Sequence, residues 1–390
     1  MARPCIHISM FFVVLLIFIT SVFSRSIANQ PIDLDKLSGI RAQLEKINRP
    51  GVKTIKSPDA FDLPELKDQI TTLQQLEWPE GYDINKNTTT GVESFQLWSD
   101  SGEECPDGTV PILRITEQYL LRASNMTRFG QKNAYTNHEY ATVRVKQDQF
   151  YGARTSINAW SPKVSEAGEF SLAQIWLASG TYDAKDLTTI EVGWHVFPDI
   201  YGGDTNPRLF GYWTRDAYEK TGCHNLVCPG FVQTDKRVAL GAALSKSVSS
   251  YNGNQFDITL MVWKDPNNGN WWLKYGEGIV MGYWPASLLP RLKSHADRLK
   301  FGGEIVNFNR NGHTSTQMGS GHFAEEGFKK AAFFRNLNLV NSDGKVTPIP
   351  LSNLETYADH PKCYDIKVYS NKVYGTHFYF GGPGKNSNCP

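Results

Sequence analysis

Two glutamates stand where a carboxylate is hard to accommodate. Glu191 interrupts the β-branched and aromatic run TTIEVGWHV, and Glu304 interrupts FGGEIVNF. A charged side chain in such a strand either faces solvent or lines a cleft. The neighbouring glycines bear on that choice. Gly193 and the pair Gly302-Gly303 weaken a strand and mark places where the backbone of a ligand comes close. Two-residue alternation puts His195 on the same side as Glu191. Two carboxyls held together can share one proton, so that one activates water while the other protonates an oxygen or a leaving group. That is the acid–base equipment for hydrolysing an unreactive bond.

Other chemistries fall short at specific positions. His138-Glu139 begins a zincin HExxH, but position 142 is Thr. His322 and Glu325 begin HxxEH, but position 326 is Glu, so the second imidazole is missing in both cases. There is no CxxC pair and no G-x-S-x-G elbow. Gly384-Lys385 lacks the upstream Gly and the following Ser or Thr of a phosphate loop. The nine histidines form no cluster along the chain. Neither a metal nor a cofactor is expected. With 40 Lys+Arg against 39 Asp+Glu, nothing in the charge favours nucleic acid.

The elements that must position the glutamates are strands. From His138 onward HEYATVRVK, FSLAQIWLASG, LTTIEVGWHVF, RLFGYWT, FDITLMVWK, NWWLKYG, IVMGYWP and EIVNFN are short, aromatic and β-branched, and are set off by turn residues. KDPNNGN between FDITLMVW and WWLKYG predicts a hairpin. Residues 138–390 thus read as one all-β domain of sandwich size. ASLLPRLKSHADRLKF is expected to hold a short helix. Upstream, Leu34, Leu37, Ile40, Leu44 and Ile47 recur at helical spacing and predict an amphipathic helix ended by Arg49-Pro50-Gly51. The stretch to about residue 100 reads as extended and loosely packed.

The N-terminus sets the compartment. Met10–Phe23, MFFVVLLIFITSVF, is uncharged, too short for a comfortable membrane span, and preceded by Arg3 and His7. It reads as a secretory signal peptide over 1–24, with the product secreted to the extracellular space or a vacuolar lumen. No later segment is long and apolar enough to span a membrane. Sequons at Asn87 and Asn125 would carry glycans on exposed surface. Cys5 leaves with the signal, so five cysteines remain (105, 223, 228, 363 and 389).

Several long blocks, in order, resemble one family. TTIEVGWHVFPDIYGG, RLFGYWTRDAYEKTGCHNLVCPGFVQ, GNWWLKYGEGIVMGYWP, FGGEIVNF and TQMGSGHF are similar to the neprosin family of plant secreted glutamic peptidases. Cys105-Pro-Asp-Gly-Thr-Val-Pro111 resembles that family's activation peptide. The resemblance implies an antiparallel two-sheet β-sandwich, lectin- and glucanase-like, preceded by a small pro-domain that begins with the N-terminal helix. It implies an activation propeptide over 25–130 and a catalytic domain over 131–390, with the junction between Arg128 and His138. It implies an endopeptidase that cuts after proline in acid with Glu191 and Glu304 as catalytic dyad. Disulfides Cys223–Cys228 and Cys363–Cys389 are implied by the same motifs, leaving Cys105 in the pro-region without a partner.

Proline preference calls for a flat aromatic wall, for which Trp194, Tyr212 and Trp213 are candidates; otherwise these rings pack the core. Gln174 in FSLAQIWLA is a candidate hydrogen-bond donor in the cleft. His195 stands where many relatives have Gln, which predicts an altered pH profile or subsite. The expected partners are proline-rich peptides and the chain's own propeptide, acting as an intramolecular inhibitor on a monomer. Two rivals stay open: a glycoside hydrolase using the same glutamate pair, and a non-catalytic lectin-like binding protein.

Overall fold

The computed structural model describes residues 34–48, 53–56, 60–62, 76, 79, 96–99, 102–124, 137–244, 248–309 and 312–390. The signal segment, both sequons and nearly all of the expected propeptide junction lie outside them. The chain divides into two compact units, Met1–Glu45 and Lys46–Pro390. The first carries most of helix α1 (Leu34–Ile47), which matches the periodic stretch seen in sequence.

In the second unit the strands run β1 (Thr54–Lys56), β2 (Ala60–Asp62), β3 (Ile112–Leu113), β4 (Asn137–Val145), β5 (Gly152–Asn158), β6 (Ser171–Ser179), β7 (Thr188–Val196), β8 (Arg208–Thr214), β9 (Cys223–His224) and β10 (Val232–Gln233). They continue with β11 (Asp257–Lys264), β12 (Trp271–Tyr275), β13 (Ile279–Trp284), β14 (Arg298–Asn307), β15 (Met318–Gly319), β16 (Ala332–Val340), β17 (Val346–Pro348), β18 (Leu354–Ala358), β19 (Asp365–Asn371) and β20 (Gly375–Gly382). A short helix α2 (Glu117–Ser124) precedes β4.

Two antiparallel sheets form the sandwich. One has the order β18-β4-β14-β6-β7-β8-β9. The other runs β10-β13-β12-β11-β5-β16-β20-β15, with β17 on β16 and β19 on β20. A separate small sheet joins β1, β2 and β3. Between the large sheets lies an apolar core that includes Ile175, Leu177, Ile190, Val192, Trp194, Phe301, Ile305 and Phe334. The Trp194 indole N–H donates to Asn158 O at 3.0 Å and so ties β7 to β5 in the facing sheet.

The alternation along β7 explains the site. Ile190, Val192, Trp194 and Val196 form part of the core, so Thr189, Glu191, Gly193 and His195 share the opposite face. Every residue of β7 is nevertheless buried. Its second face is therefore covered as well, and the usual polar-outward strand does not apply.

The hairpin at KDPNNGN is present, with Lys264 paired to Trp271. The helix expected within 286–301 is not. That stretch makes two short 3₁₀ turns, Ala286–Leu288 and Pro290–Leu292, and then enters β14. Pro290 has no N–H for a helical ladder, and the run beginning at Arg298 is taken up by pairing with both β4 and β6. The two expected disulfides, Cys223–Cys228 and Cys363–Cys389, are both formed, with Cα–Cα separations of 5.8 and 5.5 Å. The second closes a 26-residue separation, worth about 3 kcal/mol if it acts by limiting the unfolded chain. Cys105 is free and buried, and burial pushes its thiol up to about 12.

Candidate active site

Three neighbouring strands bring the glutamates together. Glu304 on β14 is opposite Leu172 on β6, and Glu191 on β7 is opposite Trp176 of the same strand. Between those two rows, Gln174 is opposite Gly302 on one side and Gly193 on the other. Glu191, Glu304 and Gln174 thus share one face, with Gln174 between the carboxyls. The glycines leave room for this. At Gly302, where φ is +148°, a Cβ would collide with Ala141 O; at Gly193 it would strike Ala173 O. Any side chain at either position would push the strands apart.

The two carboxyls are linked through Gln174. Its Nε2 donates to Glu191 Oε2 at 3.2 Å and to Glu304 Oε2 at 3.5 Å. Each carboxyl then has its own partners. Glu191 Oε1 accepts the O–H of Tyr218 at 2.5 Å and of Thr189 at 2.8 Å. Glu304 Oε1 lies against His138 Nδ1. Both glutamates are only 3% exposed. Burial pushes the Glu191 carboxyl up to about 7; the Tyr218 hydrogen bond opposes this and the Glu304 charge adds to it. Burial first, and the nearby carboxylates second, also hold Tyr140 and Tyr218 well above the usual phenol range. Both phenols therefore remain O–H donors in acid and at neutrality.

A cleft of about 560 Å³ opens over this face, and both glutamates line it. Its aromatic wall is made by Tyr140, Trp176, Tyr182, Tyr218 and Tyr357. None of the three rings expected there is in it. Trp194 is fully buried between the sheets, because its position has the opposite parity to Glu191. Trp213 is opposite Ile190 and shares its core-facing side. Tyr212 is opposite Glu191, but lies one strand farther out, with its ring 5.9 Å from Tyr218.

His195 does share the face of Glu191, yet it does not reach the cleft. It is stacked on Phe210 at 4.6 Å and on His224 at 4.9 Å, and its Nε2 meets Tyr201 Oη at 3.2 Å. Burial holds this imidazole well below its usual range. A sealed, neutral ring has no route to a substrate, so the altered subsite expected from it has no geometric basis.

Sequence reading passed over His138, Tyr218, Thr189 and Tyr140. His138 was visible as half of a failed metal motif. In the fold it turns to Glu304, while Glu139 on the other face of β4 accepts from His313 Nε2 at 2.7 Å. His322 pairs with Glu326 at 2.9 Å. Among the described residues, the one grouping of His, Cys, Asp or Glu with metal-ligand spacing is His313 with Cys363 and Cys389. Those two sulfurs are joined to each other.

The segment before β4 packs along the β8–β10 edge. Gln96 Nε2 donates to Ala239 O and Gln96 Oε1 accepts from Ala239 N, both at 2.8 Å. Gln233 Nε2 donates to Pro111 O at 2.6 Å. Tyr119 Oη meets His224 Nδ1 at 2.8 Å, and Arg122 donates to Asp199 O at 2.9 Å. Trp98 is 2% exposed. This stretch of the upstream region, expected to be loosely packed toward residue 100, is docked through buried polar contacts.

Among solved structures, Scytalido-glutamic peptidase with a peptide-based transition state analog aligns over 64% of this chain and 99% of that one, at 11% identity and a TM-score of 0.35. SCP-B, a member of the Eqolisin family of peptidases, in complex with the tripeptide Ala-Ile-His, aligns over 63% and 98%, at 9% identity and a TM-score of 0.33. A beta-porphyranase from the human gut bacterium Bacteroides plebeius aligns over 62% and 64%, at 10% identity and a TM-score of 0.22. Likeness at these scores carries no argument about chemistry. Sequence families say more. The Neprosin activation peptide family matches residues 52–155, reaching into β5, and the Neprosin family matches residues 167–383, more than half of the chain. The chain belongs to the Neprosin family of peptidases and carries that family's activation-peptide segment.

Proposed function

We propose that this chain is the zymogen of a secreted glutamic endopeptidase, cutting after proline in acid with Glu191 and Glu304 as its dyad. The observation that supports the reading is the pair of buried carboxyls facing one open cleft and linked through Gln174 Nε2. An amide is a poor electrophile, so its hydrolysis needs a base for water and an acid for the carbonyl oxygen and the leaving nitrogen. The pair divides those roles. Glu191, pushed up to about 7, is the protonated member in acid. Glu304, with His138 beside its outer oxygen, is the member that takes the proton of the attacking water.

Tyr218 and Thr189 occupy Glu191 Oε1, which leaves Oε2 to carry the proton toward the substrate carbonyl. The Gln174 Oε1 atom is buried and has no hydrogen-bond partner among the described residues. Rotating that amide would let Oε1 accept from a protonated Glu191, so the same side chain serves both protonation states. Trp176, opposite Glu191 in the register, and Tyr140, at 6.2 Å from it between ring centroids, offer flat faces for a proline ring. The segment over 25–130 is read as the propeptide. Its docked portion holds the β8–β10 edge until it is removed.

The test is a quenched peptide with a single proline, assayed over pH 2–7 on acid-treated protein, beside a reducing-end assay on soluble β-glucan. Cleavage on the carboxyl side of proline, strongest in acid and absent in Glu304→Gln, is expected. Glucan hydrolysis without peptide cleavage would favour the glycoside hydrolase and end this reading.

A further inference from the structure

One side chain reaches the dyad from outside the three strands that carry it. His138 is the second residue of β4. Its side chain and that of Glu304 are each 4% exposed, and its Nδ1 meets Glu304 Oε1. The register explains the reach. Tyr140 is opposite Glu304 and His138 is opposite Val306, so the imidazole meets the carboxyl on the diagonal. Alternation along β4 puts His138, Tyr140 and Thr142 on the cleft, while Glu139 turns away to His313.

The surroundings fix the ring. It is stacked on Tyr140, with centroids 6.3 Å apart, and meets Phe170 edge-on at 5.9 Å. The strand beneath it is pinned twice. Glu139 accepts from His313 Nε2 at 2.7 Å and from Asn307 Nδ2 at 3.0 Å. Tyr140 N donates to Asp359 Oδ2 at 2.8 Å, and Asp359 N donates back to Tyr140 O at 3.1 Å. The two carboxyls of the dyad are then gripped in the same manner. Glu191 has Tyr218 and Thr189 on Oε1 and Gln174 on Oε2. Glu304 has His138 on Oε1 and Gln174 on Oε2.

Resting on the peptidase reading above, we propose that His138 is the positioning residue of Glu304, its Nδ1–H holding Oε1 so that Oε2 is presented to the attacking water. An imidazole nitrogen that faces a carboxylate can carry an N–H in either charge state of the ring, so the grip does not depend on that charge. Without it, Oε1 loses a donor and the carboxyl is free to rotate. Substrate contacts elsewhere in the cleft stay as they are, so the loss falls on kcat and not on KM. Maturation is constrained as well. His138 must remain with the catalytic domain, so the mature chain begins at His138 or earlier.

The experiment compares three variants of the acid-matured enzyme on the single-proline peptide. Asparagine carries an amide nitrogen at the same number of bonds from Cα as Nδ1, and glutamine carries it one bond farther out. Phenylalanine keeps the ring against Tyr140 and Phe170 but has no donor. His138→Phe should lower kcat about tenfold to a hundredfold, with KM changed less than about twofold. His138→Asn should keep kcat within about fivefold of wild type, although it loses the ring and should melt earlier than His138→Phe. His138→Gln should fall between them.

The opposite order, with His138→Phe near wild type and His138→Asn the most damaged, would make the ring a packing element and overturn the proposal. So would equal kcat in all three. N-terminal sequencing of the active wild-type enzyme needs no variant to fold. A first residue at His138 or earlier is expected, and full activity in a chain beginning at Glu139 or later would also overturn the role. Wild-type protein that cuts no proline peptide would bring down the peptidase reading itself.

Discussion

The two ends of one face of β7 have opposite fates. At one end Glu191 looks into an open cleft, with Tyr218, Thr189 and Gln174 as donors and Glu304 nearby. At the other end, four residues on, His195 is sealed beneath Tyr201 and stacked with His224 and Phe210. Pro-region Tyr119 reaches the same patch, 5.8 Å from Tyr201 and bonded to His224. Burial acts on both ends in the same sense, against charge. It raises the carboxyl to about 7 and lowers His224 to about 3. Desolvation alone therefore does not make a site. The cleft end differs in having access and a second carboxyl to share the proton.

The contrast breaks most severely if the shared proton is removed. Glu191→Gln should cut kcat by at least about a thousandfold while the circular dichroism spectrum stays as in wild type. Activity within tenfold of wild type would place the chemistry elsewhere. A smaller change is expected when only a donor is lost. Tyr218→Phe deletes a hydrogen bond that lowers the Glu191 carboxyl. The upper limb of the pH–rate profile should then move up by about one pH unit, with kcat reduced about tenfold.

The stability counterpart follows from the same shift. Folding lifts Glu191 above the value of about 4.3 expected in the unfolded chain. Its contribution is therefore complete below about pH 4 and is lost as pH rises through 7. Between pH 4 and 8 wild type should lose on the order of 3 kcal/mol relative to Glu191→Gln in denaturant titrations.

The imidazole end runs the other way. His195 and His224 are lowered on folding, so their contribution is complete above about pH 6.5 and is lost as pH falls toward 3. His195→Gln should leave both limbs of the activity profile in place and flatten the acid loss of stability. Movement of either limb would show that this ring communicates with the cleft. The smallest effect is expected at the pro-region contact. Tyr119→Phe removes one hydrogen bond, about 1 kcal/mol, and should shift acid maturation upward by a few tenths of a pH unit, read by the rate of propeptide loss.

Strand periodicity made much of this legible. The runs around Glu191 and Glu304 are strands, and Gln174 sits between the carboxyls; the backbone that approaches Gly193 and Gly302 is that of the neighbouring strand and not of a ligand. Parity alone separates Trp194 from Glu191, since an odd and an even position of one strand face opposite sides, and this places Trp194 in the core and not in the cleft. Tyr212 satisfied parity but lies one strand too far out, which depends on sheet order. His138 and Tyr218 were hidden for a different reason. Each reaches its glutamate across a gap of 166 or 27 residues, set by register and by the loop after β8. The helix expected before β14 failed because pairing on both sides of β14 outweighs a local apolar pattern.

The central claim is that Glu191 holds the proton the dyad shares. Infrared difference spectra of the mature enzyme between pH 5 and pH 8 test it directly, through the carbonyl stretch of a protonated carboxyl. A band present at pH 5, lost by pH 8, absent in Glu191→Gln and retained in Glu304→Gln is expected. A band that vanishes in Glu304→Gln and survives in Glu191→Gln would contradict the account.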